Sequence, residues 1–209
     1  MNVKVIGVGG CGGNMADYIM ATGLPQAQAI ECIRADSDFH FRSLHRSKTH
    51  VRLPLGPQIT HGAGCGTDAD LGRQAAFESR DQIREALRGA DMVFIVAGMG
   101  GGTGTGSAPV IAEIAKDTGI HTVGMVTLPF GFEGGSRVRL AQQGVTKLSE
   151  CVDMLLIYPN EDILKRFISK VSLMDAFRTT NDMIREVMSS LIMVNARWAR
   201  QRPDPQPAN

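Results

Sequence analysis

No run of 18 apolar residues occurs anywhere in the 209-residue chain, so the sequence contains no candidate membrane-spanning helix and membrane insertion is not expected. Met1 leads within two residues into Val3-Lys4-Val5-Ile6, without the basic flank or cleavage site of a secretory signal, so a cytoplasmic location is expected. The four cysteines, Cys11, Cys32, Cys65 and Cys151, form no C-x-x-C pair. That spacing argues for free thiols rather than a disulfide frame or a zinc site. Neither sign of charge dominates, with 22 Lys+Arg against 21 Asp+Glu. Nucleic acid is therefore not an expected partner. His40, His45 and His50 recur every fifth residue, which turns them about 140° apart on a helix and makes no one-faced metal site. Arg42, Arg46, Lys48 and Arg52 form a basic stretch with few interleaved aromatics, read as surface.

What the chain does have is glycine. It carries 24, and eleven of them fall in two windows, Gly7 to Gly13 and Gly98 to Gly106. The excess marks two sites rather than low complexity. Between them, short β-branched runs alternate with helical patterns, the mark of βαβ units and a parallel sheet. Strands are predicted at Val3–Val8, Ala29–Ala35, Thr49–Leu53, Met92–Ala97, Thr122–Leu128 and Asp153–Tyr158. Helices are predicted at Asn14–Ala21, Ser37–Arg46, Thr67–Arg88 with Thr67 as N-cap, Ser107–Lys116, Ser136–Glu150, Glu161–Phe167 and from Leu173 onward. Residues 54–66 read as a Gly/Pro-rich loop. The expectation is one doubly wound α/β domain of Rossmann type over residues 1–200, its mostly parallel sheet covered by helices on both faces, with a disordered proline-rich tail at 201–209.

The first window reads Gly7-Val8-Gly9-Gly10-Cys11-Gly12-Gly13-Asn14, with Asp36 closing the next strand. Gly7, Gly9 and Gly12 satisfy G-x-G-x-x-G at a strand-to-helix junction, the dinucleotide fingerprint. The underlying physics is broader: glycines let backbone amides approach a phosphate, and free amides at a helix start supply partial positive charge. A tight packing turn remains the alternative for this window alone. The second window, Gly98-Met99-Gly100-Gly101-Gly102-Thr103-Gly104-Thr105-Gly106-Ser107, joins another strand to another helix. Two amide nests then face one sheet edge, enough for a di- or triphosphate. An NAD-linked oxidoreductase has no use for the second nest, and no paired catalytic acid and base is visible for one. No G-x-x-x-x-G-K-[ST] occurs, so amides rather than a Walker lysine carry the phosphates.

GGGTGTG in this setting resembles the signature loop of the tubulin/FtsZ superfamily. The resemblance runs from about Lys4 to Leu191 through GVGGCGGN, ADMVFIVAGMGGGTGTGSAP, TLPFGFEG (Thr127 to Gly134, including Pro129), YPNEDIL and SLMDAFRTTND. It implies a domain that binds GTP or GDP, with magnesium accompanying the nucleotide. Gly10–Asn14 and Gly100–Gly106 would hold phosphates. Glu133 and Arg137 would contact ribose and neighbouring phosphates, and Asn160 and Asn181 sugar and base. Phe177 and Asn181, four apart on a helix face, suit stacking on a base and reading its edge, with Asp182 able to accept from the same edge. Read without the resemblance, Phe177 as core and Asn181 as solvated surface stays equally open.

The chain departs from the family at Cys11, which stands inside the phosphate loop, at Cys65 in the third loop (Gly62-Ala63-Gly64-Cys65-Gly66), and at Arg34-Ala35 before Asp36. Thiols beside amide-rich sites tend toward lowered pKa values, and the alternative for Cys11 and Cys65 is two small packing residues. After Met193-Val194-Asn195-Ala196-Arg197-Trp198 the sequence shows neither the acidic loop nor the second domain that complete hydrolysis in the family. The implied function is a nucleotide-binding partner, regulator or end cap of a cell-division filament, with a full-length FtsZ-type subunit as partner and weak or no GTPase activity alone. The alternative is a GTPase active on assembly with such a subunit. The last helix shows one apolar face, Ile184, Val187, Met188, Leu191 and Val194, and Met183, Ile192, Met193 and Trp198 extend apolar character beyond it, to pair with a second copy or a partner or, equally, to be covered by the tail folding back.

Overall fold

The computed structural model describes residues 1–24, 30–39, 49–162 and 173–201; within the last stretch the side chains of 173, 174, 176 and 197–201 are outside the description. Six strands pair in parallel throughout: β1 (Val3–Val8), β2 (Ile30–Asp36), β3 (Val51–Pro54), β4 (Met92–Gly98), β5 (His121–Leu128) and β6 (Met154–Pro159). Their order is β3-β2-β1-β4-β5-β6. The chain winds outward one way from β1 and then the other way from β4. That reversal opens a crevice at the C-terminal ends of β1 and β4.

Alternation within the strands divides the core between two faces. Ile6, Val8, Ile33, Ala35, Val93, Ile95 and Ala97 point to one side, where they meet α3 (Ala69–Glu78), α4 (Arg80–Leu87), α5 (Gly102–Asp117) and α6 (Gly135–Ser149). Val3, Val5, Cys32, Met92, Phe94 and Val96 point to the other, under α1 (Gly9–Thr22) and α7 (Leu173–Gln201). Helices therefore cover both faces, as the βαβ pattern predicts.

Four expectations need correction. The helix predicted from Thr67 is capped by Asp68, whose carboxylate accepts from the Leu71 amide at 2.9 Å. It is two helices, broken at Ser79, whose buried hydroxyl donates to Pro54 O and accepts from Gly56 N. The loop at 54–66 contains the short helix α2 (Pro57–Thr60). Both glycine windows run into helix: α1 begins at Gly9 and α5 at Gly102, five residues before the predicted starts. Residues 37–39 are not helical, and the rest of the predicted Ser37–Arg46 helix, the helix at Glu161–Phe167 beyond residue 162, most of the basic stretch, His40, His45 and the proline tail from 202 lie outside the described residues.

On α7 the buried residues are Ile184, Met188 and Ile192, with Val187 and Leu191 half-buried against the same core. Val194, predicted on that face, is 55 % exposed, and Ile192 takes its place. The buried residues recur at every fourth position, a narrower stripe than the predicted one.

Candidate functional site

β1 and β4 pair in register, with Val8 opposite Ala97, so the two glycine windows leave the sheet side by side. A cleft of about 330 Å³ opens between them. Of the residues singled out in the sequence, the structure gathers Gly9, Gly10, Cys11, Gly66, Gly98, Gly101, Gly102, Thr103, Gly104, Pro129, Glu133, Arg137, Asn160 and Phe177 around it. Val8, Met99, Thr127 and Leu128 also line it; the quoted motifs contain them without marking them as site residues. Gly12, Gly13, Asn14, Asp36, Gly64, Cys65, Gly100, Thr105, Gly106, Asn181 and Asp182 are not part of the lining.

Two helices aim their N-termini at this space. Neither α1 nor α5 has a side-chain cap or an acidic residue in its first turn. α3 has both. No described hydrogen bond engages the amides of Gly10, Cys11, Thr103 or Gly104. The first amides of a helix have no partner within it, and with the helix dipole they make a ready anion site. A Cβ built on Gly10 would meet nothing within 4 Å, so the start of α1 is open on that side. Arg137 adds a full charge. Its Nε donates to Gly100 O at 3.3 Å and its Nη1 to Glu133 Oε2 at 2.9 Å, while Nη2 stands beside Gly101.

Hydrogen bonds within the lining and to residues behind it hold these loops in place. Gly102 N donates to Gly66 O at 2.7 Å and Met99 N to Thr127 O at 2.9 Å. Ser37 Oγ lies 2.6 Å from Thr103 Oγ1 and accepts from Cys65 Sγ at 3.2 Å. Thr105 Oγ1, buried, accepts from Gly100 N at 2.8 Å. Beneath the first turn of α1 lies Arg34, 2 % exposed, with Nη1 2.8 Å from Asp17 Oδ2, Nη2 3.7 Å from Asp36 Oδ2, and Nη1 donating to Asn14 Oδ1 at 3.5 Å. Burial pushes the Asp36 carboxyl above its ordinary pKa, opposed by Arg34 and by backbone donors.

Of the two readings of Cys11, the direction of its pKa is that of a packing residue and not of an activated thiol. Its sulfur packs toward Gly98, 3.6 Å from Thr127 Oγ1, and desolvation there pushes the thiol pKa up. The residue as a whole remains exposed. Cys65 is buried.

At the far end, Phe177 opens the described face of α7 and meets Phe130 edge-on, centroids 6.0 Å apart, while Phe132 stacks on Phe130 at 4.9 Å. Asn181 and Asp182 follow one turn on, half-buried, and Asp182 accepts a hydrogen bond from Tyr18 of α1. No described helix is long and apolar enough to cross a membrane.

The chain matches the family described as Tubulin/FtsZ family, GTPase domain, over residues 2–167. It is 46 % identical over 182 residues to the cell division protein FtsZ of Coxiella burnetii, covering 87 % of this chain and 46 % of that protein. The FtsZ of Pseudomonas aeruginosa is also 46 % identical over 182 residues, covering 87 % of this chain and 45 % of that one. Among solved structures, an empty FtsZ dimer of M. jannaschii superposes with a TM-score of 0.82 at 35 % identity, over 91 % of this chain and 54 % of the other. The chain thus spans about half the length of these relatives. A family match over most of its length, on a fold whose two glycine loops meet at one crevice, places the chain in the tubulin/FtsZ family, as a bearer of its GTPase domain.

Proposed function

We propose that the chain binds GTP or GDP in this cleft, with the phosphates on the amides of Gly10, Cys11, Thr103 and Gly104 and the base toward Phe177. The observation that carries the reading is the pair of uncapped, acid-free helix N-termini converging on one cleft beside Arg137. Magnesium accompanies the nucleotide in this reading. No described group of three or more His, Cys, Asp or Glu side chains stands ready to hold a metal, so the ion would rest mainly on phosphate oxygens and water.

Hydrolysis needs a group that orients or activates water. Among the described residues lining the cleft, Glu133 is the one carboxylate, and it already accepts from Phe130 N at 2.9 Å and from Arg137. This supports weak or no GTPase activity for the polypeptide alone. A neighbouring subunit docked on the cleft face would supply further carboxylates. In that role the protein is a nucleotide-gated partner or regulator of a tubulin-like cell-division filament in the cytoplasm, in the simplest case its end cap. The junction with the partner would be the one place it hydrolyses GTP. Met193, 37 % exposed, and Val194 support a further contact through α7, with a second copy or with that partner.

Phosphate release measured with and without a full-length FtsZ-type subunit tests the role. The expected outcome is little release from the protein alone, and shorter filaments by electron microscopy when it is added substoichiometrically. Rapid hydrolysis by the protein alone would overturn weak activity, and unchanged filament length at concentrations where it binds GTP would overturn capping.

A further inference from the structure

Thr103, the second residue of α5, lines the cleft, and its side chain stands between the two glycine windows. A Cβ built on Gly9 would lie 3.4 Å from Thr103 Cβ and 3.7 Å from its Cγ2, so this side chain reaches the other cleft-lining loop. Its hydroxyl oxygen lies 2.6 Å from that of Ser37, a residue 66 positions away in the chain. Ser37 follows β2 directly and is fully buried. The Thr60 hydroxyl and the Gly64 amide both donate to its carbonyl oxygen, which fixes its backbone. Behind it, the buried Cys65 thiol donates to Ser37 Oγ at 3.2 Å.

Each of these three side chains carries one hydrogen to donate. Cys65 directs its own to Ser37, whose oxygen therefore accepts on that side. One hydrogen closes the contact between Ser37 and Thr103, and either hydroxyl could provide it. If Thr103 provided it, the hydrogen of the fully buried Ser37 would have no acceptor among the described bonds, and a buried donor without an acceptor is costly. If Ser37 provides it, the hydrogen left over belongs to Thr103, which is half-buried at the cleft. The order from Cys65 through Ser37 to Thr103 thus ends in a donor on the cleft wall. No described acceptor takes that last hydrogen, and phosphate oxygens seated beside the Thr103 amide are acceptors.

We propose that Ser37 is a positioning residue, which with Cys65 behind it turns the Thr103 hydroxyl into a hydrogen-bond donor to the phosphate of a bound nucleotide. The proposal rests on the nucleotide-binding reading above. Ser37 touches no ligand and acts through Thr103; the sequence marked it only as the start of a predicted helix. Without this contact, a threonine in the first turn of a helix can swing its hydroxyl toward backbone carbonyls instead.

The experiment measures GTP dissociation constants by calorimetry for the wild type, S37A, C65A, C65S, T103V and the S37A/T103V double variant, with nucleotide-free melting to show that each is folded. S37A should weaken GTP about fivefold, the loss of one hydrogen bond's orienting effect. C65A should weaken it about twofold to threefold, because Thr103 can then donate to Ser37 instead, and C65S, which keeps a donor, should restore the affinity. T103V should weaken GTP about tenfold, as loss of a bond to a charged group does, and S37A should add nothing in that background. A purely structural role for Ser37 would weaken binding equally whether residue 103 is Thr or Val. S37A binding like the wild type, C65S binding no better than C65A, or additive effects of S37A and T103V would overturn the proposal. Should S37A fail to fold, the comparison of C65A with C65S decides. A wild type that binds no GTP would overturn the underlying reading, and this proposal with it.

Discussion

Gly10 and Gly12 stand two residues apart in the same loop, and the structure gives them opposite tasks. A Cβ on Gly10 meets nothing within 4 Å, while one on Gly12 would sit 2.1 Å from the Val96 carbonyl oxygen. Gly10 has no positive φ, so alanine fits its backbone. Gly10→Ala should keep or raise stability, by up to about 1 kcal/mol from helix propensity, or about 2–4 °C in Tm for a chain of this size. Its methyl group would stand where a phosphate oxygen must reach the amide. Losing one hydrogen bond to a charged group costs about 1.5–3 kcal/mol, so GTP affinity should fall about tenfold to a hundredfold. Gly12→Ala should do the reverse of the stability result. It forces α1 away from β4, and overpacking of this kind costs about 1–3 kcal/mol or more, a Tm loss of about 2–12 °C. Nucleotide-free melting and calorimetric titration of both variants separate the two effects. A Gly10→Ala protein that binds GTP like wild type, or a Gly12→Ala protein that melts like wild type, would refute the reasoning.

Burial pushes the Cys32 thiol up to about 12, from an ordinary value near 9, and the Tyr158 phenol to about 12. A raised folded-state value means that the unfolded chain ionises first, so stability is lost as pH rises from about 9 toward 12 for Cys32 and from about 10 toward 12 for Tyr158, at up to about 1.4 kcal/mol per pH unit for the thiol and less for the half-buried phenol. Urea unfolding at pH 8, 9 and 10 should show the decline, and Cys32→Ala should flatten its first part; a decline unaffected by the substitution would assign it elsewhere. Cys11 should alkylate slowly at neutral pH, because its thiol is held protonated, and more slowly still with GTP present; rates indifferent to nucleotide would remove it from the cleft. Arg137→Gln should weaken GTP binding several-fold at low salt and less at high salt, read by titration at two ionic strengths, and an equal loss at both would argue that the charge is not what acts.

Strand positions were legible to within two residues, because buried parallel strands demand β-branched and apolar runs that little else in the sequence imitates. Helix starts were not. Glycine reads as loop on intrinsic propensity, yet α1 and α5 begin inside the glycine windows because the backbones crowd there: a Cβ on Gly104 would lie 2.4 Å from Gly98 O, and one on Gly106 2.0 Å from Ala69 O. Close packing overrides propensity at both. The same crowding explains part of the G-x-G-x-x-G spacing, since a Cβ on Gly7 would lie 2.1 Å from Gly12 O. The break at Ser79 was invisible because serine is no strong helix breaker; its hydroxyl's bonds to residues 54 and 56 arise only in the fold. At the cleft, polar and glycine positions of the motifs could be singled out for their chemistry, whereas Val8, Met99, Thr127 and Leu128, although inside the same motifs, read as ordinary strand-end residues until the sheet order is known. Tyr18 and Asp182 meet through the packing of α1 against α7, a contact no local pattern encodes.

Calorimetric titration of the nucleotide-free protein with GTP, GDP and ATP tests the central claim most directly. The account predicts saturable binding of GTP and GDP at one nucleotide per chain, with ATP markedly weaker. No binding of GTP, or equal binding of ATP, would contradict it.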